Sequence, residues 1–226
     1  MWLLNLEDLN NIHLQFFNDQ DTPLYAILSH TWLTNNRKEI TFNDCKNGLH
    51  EGLSSKGGFS KVLNCCVQAR HDSLSHCWID TCCINKDSSA ELSEAINSMY
   101  HRYQNAAICY AFLADVQQPS SDDWASFKVA QWFRRGWTLQ DLLAPSDLIF
   151  FDMHWTRICS KADQVMLLST ITGIQSKYLV GTAPIRQASV AARMSWAAHR
   201  KTTRVEDLAY CLLGIFGIHM SLLYGE

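Results

Sequence analysis

The sequence predicts an α/β domain: a largely parallel central sheet flanked by helices, with a C-terminal helical extension. Three observations carry this. Residues 24–28, 77–81, 107–113 and 148–151 are short, mostly apolar runs of the kind seen in strands buried on both faces. Stretches with apolar residues at helical spacing lie between them, and such alternation builds a parallel sheet covered on both faces. Beyond residue 161 the chain reads as mostly helical. We expect one domain over 1–226, with an α/β core at 1–160 and the helices of 161–226 packed on it.

Residues 1–5 read as a short strand. Pro23 leads into the apolar run 24–28, which ends abruptly at Ser29, His30, Thr31 and Trp32. Polar residues at the carboxyl end of a buried strand lie where open α/β sheets bind ligands. Residues 47–58, with four glycines, read as a loop, and Gly58 precedes a helix with Val62, Leu63, Cys66, Val67 and Ala69 on one face. The run 77–81 is a second buried strand and carries Asp80. Asp87 or Ser88 can cap the next helix, which carries Leu92, Ile96, Met99, Tyr100 and Tyr103. The strand 107–113 is followed by Asp115 and a polar loop at 117–123. Residues 132–143 read as an arginine-bearing turn running into a helix that stops before Pro145. Strand 148–151 follows, with a turn at Trp155, and then helices at 165–172, 190–198 and 206–216.

Composition narrows the function classes. Of 226 residues, 47% are hydrophobic and 18% charged, which is globular rather than disordered. The net charge is -3 and no basic run tracks a phosphate backbone, so no nucleic-acid partner is expected. No apolar run approaches the roughly 20 residues that span a bilayer. The N-terminus lacks a basic region followed by an apolar stretch, so a cytoplasmic protein is expected. Nine cysteines without a C-x-x-C pair read as buried reduced thiols, and no metal site is expected. Walker A, G-x-G-x-x-G, H-E-x-x-H and G-x-S-x-G sequences do not occur.

Three longer motifs add a resemblance. Tyr25-Ala-Ile-Leu-Ser-His-Thr-Trp32, the run from Trp78 to Met99 beginning Trp-Ile-Asp-Thr-Cys-Cys-Ile-Asn, and Trp132-Phe-Arg-Arg-Gly-Trp-Thr-Leu-Gln-Asp-Leu-Leu-Ala-Pro145 resemble the motifs of the fungal heterokaryon incompatibility (HET) domain. Arg193-Met-Ser-Trp-Ala197, Thr203-Arg-Val-Glu-Asp-Leu-Ala-Tyr210 and Leu222-Leu-Tyr-Gly-Glu226 resemble its form at the front of STAND (NLR-like) receptors. The resemblance implies an effector that triggers programmed cell death on non-self recognition, with self-association and downstream receptor domains. The chain stops at Glu226, as an isolated effector domain or a piece of a larger receptor would. HET domains in turn distantly resemble TIR domains, whose core is flavodoxin-like and some of which cleave NAD at the nicotinamide–ribose bond.

That resemblance selects candidate residues. TIR enzymes carry a glutamate four residues after a tryptophan, and Trp137 and Asp141 have this spacing. One helical turn puts both on one face. Breaking an N-glycosidic bond builds oxocarbenium-like charge on the ribose, which a nearby carboxylate stabilises. The family has glutamate here, and aspartate is one methylene shorter. Glu91 resembles a glutamate of the second motif, or is a first-turn acid favoured by the helix dipole. His30 could act as acid or base, orient substrate, or satisfy a backbone group. Ser29 could hold a phosphate or ribose hydroxyl, or cap a helix. Trp32 and Trp137 could stack on a base, or belong to the core. Asp80 could share a cleft with His30 and Glu91. Arg134 and Arg135 could clamp a pyrophosphate, or form surface ion pairs. Arg193, Arg200 and Arg204 are expected to pair with Glu206 and Asp207. Two functions follow: a glycohydrolase of the NAD(P)+ nucleosidase type, needing no cofactor and taking NAD or a related nucleotide as substrate, or a non-catalytic death-signalling and oligomerisation module.

Overall fold

A computed structural model describes residues 1–33, 38–117 and 124–225. The polar loop expected at 117–123 lies, apart from Gln117, outside the described residues, as does Glu226. The chain is α/β, as the alternation predicts, and its residues cluster into two compact units. The first takes in 1–28 and 32–92, the second 29–31 and 93–226.

In the first unit, β1 (Trp2–Asn5) pairs antiparallel with β2 (His13–Phe16) on one side and with β4 (His76–Trp78) on the other. Strand β3 (Ala26–His30) runs parallel to β4, with Ala26 opposite Cys77. All five residues of β3 are buried, which is why its sequence is a continuous apolar run. Strand β2 is not legible in the sequence, because none of its four side chains is buried. Cross-strand pairs hold it instead: Asn5 Nδ2 donates to Gln15 Oε1 at 2.8 Å, and the rings of Trp2 and Phe16 meet edge to face at 5.2 Å. Helices α1 (Phe42–Cys45) and α2 (Phe59–His71) complete the unit. The buried stripe of α2 is Val62, Cys65, Cys66 and Ala69, spaced i, i+3, i+4, i+7, while the expected Val67 is exposed. The 17-residue α3 (Ser89–Asn105) starts at the end of this unit. Of the two expected caps it uses Ser88, whose Oγ accepts from the Glu91 amide at 3.3 Å.

In the second unit, β5 (Ile108–Phe112) and β6 (Leu148–Phe151) pair in parallel, and β7 (Arg157–Ser160) returns antiparallel to β6. The β6–β7 turn is closed by Asp152, whose Oδ1 accepts from the amides of His154 and Thr156 at 2.8 Å each. Trp155, at φ +60°, stacks on Phe112 at 5.3 Å. Helix α4 (Ala125–Val129), a 3-10 turn (Gln131–Arg134) and α5 (Thr138–Leu143) lie between β5 and β6 in sequence. Phe127, Trp132 and Phe133 pack against Phe150 with ring centroids 5.1–5.9 Å apart.

The remainder is helical, as expected: α6 (Val165–Thr172), α7 (Ser176–Leu179), α8 (Val190–Ala197), α9 (Asp207–Tyr210) and α10 (Leu213–Phe216). The helix expected over 206–216 is two short ones. The arginines of the expected network have further partners. Arg193 donates to the Ile215 carbonyl at 3.0 Å and lies over Phe216, and Arg204 lies over Tyr224. Glu206 accepts from the Gly225 amide and Asp207 from the Tyr224 hydroxyl. Among the described residues no helix is long and apolar enough to cross a membrane.

Candidate functional site

In the second unit, the Trp132 indole donates to Ser29 Oγ at 2.8 Å, and Ser29 Oγ donates to Asp141 Oδ2 at 2.6 Å. Ser29 and Trp132 are fully buried and Asp141 is 5% exposed. The first and third sequence motifs therefore meet through side chains, at the carboxyl end of β3. Next to them Arg200, also buried, donates to the Arg135 carbonyl and to Thr138 Oγ1, each at 3.0 Å. A cation at a helix N-terminus opposes the helix dipole. Burial lowers the Arg200 pKa to about 10, and the Asp141 charge is the largest influence pulling it back up. At the other end of α5, buried Lys161 donates to the carbonyls of Leu142 and Pro145. The six-residue helix that carries Asp141 is thus held at both ends by buried cations.

The other candidates of this unit occupy different roles. His30 is buried, and as the strand neighbour of Ser29 it points to the opposite face. Trp137 is half-buried and helical at φ -59°, one turn before Asp141. Arg134 and Arg135 are used through their carbonyls, which accept from the Lys201 amide and from Arg200. Among the described residues neither guanidinium has a hydrogen-bond or ion-pair partner.

The first unit holds a second polar group. The Trp32 indole donates to Asp80 Oδ2 at 2.8 Å, and the Lys86 ammonium sits 3.8 Å above the indole ring. Trp32 and Asp80 are half-buried, so this end is partly open. Behind it Lys61 and Glu39 form a buried ion pair at 2.8 Å, and Glu39 also accepts from the Leu33 amide. Glu91 has separate partners: its carboxylate accepts from Trp2 Nε1 at 3.3 Å and from Asn85 Nδ2 at 3.0 Å. In this conformation it ties β1 to the loop before α3.

All nine cysteines are free and buried. Burial pushes the thiols of Cys77, Cys83 and Cys109 well above their ordinary value, and those of Cys159 and Cys211 up to about 12.

Residues 25–128 match the family described as heterokaryon incompatibility protein (HET). Over 211 residues the chain is 44% identical to vegetative incompatibility protein HET-E-1 of Podospora anserina. The chain carries a HET domain. Its first two motifs lie inside the matched span, whereas the third, with Trp132 and Asp141, lies beyond it. The alignment with HET-E-1 covers 90% of this chain but 15% of that protein, so the HET chain spans a small part of its relative's length. No solved structure matches.

Residues of these groups that the sequence does not single out as site residues include Trp132, Thr138, Arg200 and Lys86, with Lys161 and the Lys61–Glu39 pair. Trp132 opens the third motif, so its position there was a usable signal. Thr138 and Lys86 also lie within motifs, without a spacing that assigns them a partner. Arg200 has no local signal, since its partners are 62 and 65 residues away.

Proposed function

We propose that this HET domain is the effector part of a heterokaryon incompatibility protein: it triggers programmed cell death on non-self recognition, through TIR-like hydrolysis of NAD or a related nucleotide. The Ser29–Asp141 hydrogen bond carries the reading, because it fixes the carboxylate of the third motif against a polar strand end. In the proposed reaction the C1′–N bond breaks and its electron pair leaves with nicotinamide. Asp141 stabilises the ribose cation, and water adds to C1′ with loss of a proton, giving ADP-ribose. Trp137 stacks on a ring of the substrate, and the guanidinium groups of Arg134 and Arg135 take its pyrophosphate. We propose His30, Glu91, Asp80 and Trp32 as further contributors. We also propose that the two units work as one domain, self-associating in the cytoplasm within a longer STAND-type receptor.

One observation favours a second reading, a death-signalling module without catalysis. Asp141 is almost wholly buried and already engaged by Ser29, and aspartate is one methylene shorter than the family's glutamate. Over-expression in a fungus tests the effector role itself. The wild-type domain should kill, and Asp141→Ala, His30→Ala and Glu91→Ala should each abolish killing while accumulating as folded protein. Full toxicity of any of these variants removes that residue from the site.

A further inference from the structure

A groove of about 320 Å³ lies in the second unit where β5 and β6 begin and β7 ends. It is therefore at the amino end of the parallel pair, opposite the strand ends where open α/β sheets bind ligands. Its volume is within the roughly 300–1,000 Å³ of small-molecule sites. The walls include Ile149 and Val180, and the polar lining comprises Ser146, Asp147, Arg157, Ser160 and Lys161.

Lys161 is the unusual member. It is 4% exposed, and two of its three ammonium protons go to the carbonyls of Pro145 at 2.5 Å and Leu142 at 3.3 Å. The third has no partner among the described residues, and a buried donor left unmade is costly. Arg157, exposed beside it, likewise has no hydrogen-bond partner among the described residues. The titratable groups around Lys161 are Asp147 and the Cys109 thiol, with Arg157 and Asp163 near β7. Asp147 is exposed and Lys161 buried, and apolar side chains such as Ile149 and Val180 line the groove beside them.

We propose that this groove binds a small oxyanion with a short apolar body, a medium-chain carboxylate or a phosphate monoester. One anionic oxygen accepts the third N–H of Lys161, Arg157 pairs with the same group from the rim, and the apolar body lies along Ile149 and Val180. This site is independent of the Asp141 chemistry. Burial lowers the Lys161 pKa to about 8, so an oxyanion that needs the ammonium form should bind more weakly as pH rises through that value.

Titration of the whole chain with hexanoate and with hexyl phosphate, followed by NMR at pH 7 and again above pH 9, tests this. Saturable shifts at Ser146, Ile149, Ser160 and Val180 are expected with at least one probe, and the probe that binds identifies the anion. Affinity should fall above pH 9. It should fall about tenfold in Arg157→Ala, equivalent to about 1.4 kcal/mol, and be lost in Val180→Glu. Both positions are exposed, so these variants keep the fold that Lys161→Met would put at risk. Absence of saturable shifts with either probe at millimolar concentration overturns the proposal, as does binding unchanged in both variants.

Discussion

Asp141 is a buried carboxylate surrounded by groups that need it. Ser29 donates to it, Trp132 fixes Ser29, and the Arg200 charge is balanced by it. Replacing it by alanine leaves a buried cation and a buried hydroxyl uncompensated. Asp141→Ala should therefore lose about 3 kcal/mol of stability in urea unfolding, and Ser29→Ala about 1–2 kcal/mol. Lys161 gives a pH dependence of known sign. Its pKa falls from 10.5 unfolded to about 8 folded, so between these values the unfolded chain binds more protons. Stability from this group rises with pH from about 8 to 10.5, and the cost of burying the charge is fully present below pH 8. Thermal melts across that window should show the rise in wild type and no such rise in a Lys161→Met variant that still folds. The sequence made Ser29 and Asp141 legible because both sit in motifs. It could not reveal Arg200, whose role depends on a carboxylate 59 positions earlier in the chain. The shared cleft expected for Asp80 and Glu91 is likewise a question of side-chain direction, and each has its own indole partner, Trp32 and Trp2.

Strands and helices were readable in proportion to how completely they are buried. β3, β5 and β6 announce themselves as apolar runs, and α2 and α3 by helical spacing. The edge strands β2 and β7 have mixed or exposed side chains, and their pairing is decided by neighbours far along the chain. Two glycines show the same limit. A Cβ on Gly136, within the third motif, would lie 2.6 Å from Thr202 Cγ2, because residues 201 and 202 pass alongside it. A Cβ on Gly214 would lie 2.1 Å from Tyr100 Cβ, where α10 meets α3. Neither requirement is visible until the partner is known. Gly214→Ala should destabilise by about 1–3 kcal/mol through overpacking, read as a lowered urea midpoint with an unchanged slope.

At the scale of the whole molecule, the composition already indicated a globular protein, and the alternation of apolar runs with helical spacing an α/β one. Nine buried thiols make a direct check: a thiol reagent should label the native chain very slowly and all nine sites after denaturation. Identity came from motif length and not from any single fingerprint, and the match over 90% of the chain supports it. The chemistry is the narrower claim, resting on a carboxylate one helical turn after a half-buried indole. Incubating concentrated, purified protein with NAD and following nicotinamide release tests it most directly. The account predicts release by the wild-type domain and a loss of at least about 100-fold in Asp141→Ala. No release from the wild type, or equal release from wild type and a folded Asp141→Ala variant, would contradict it.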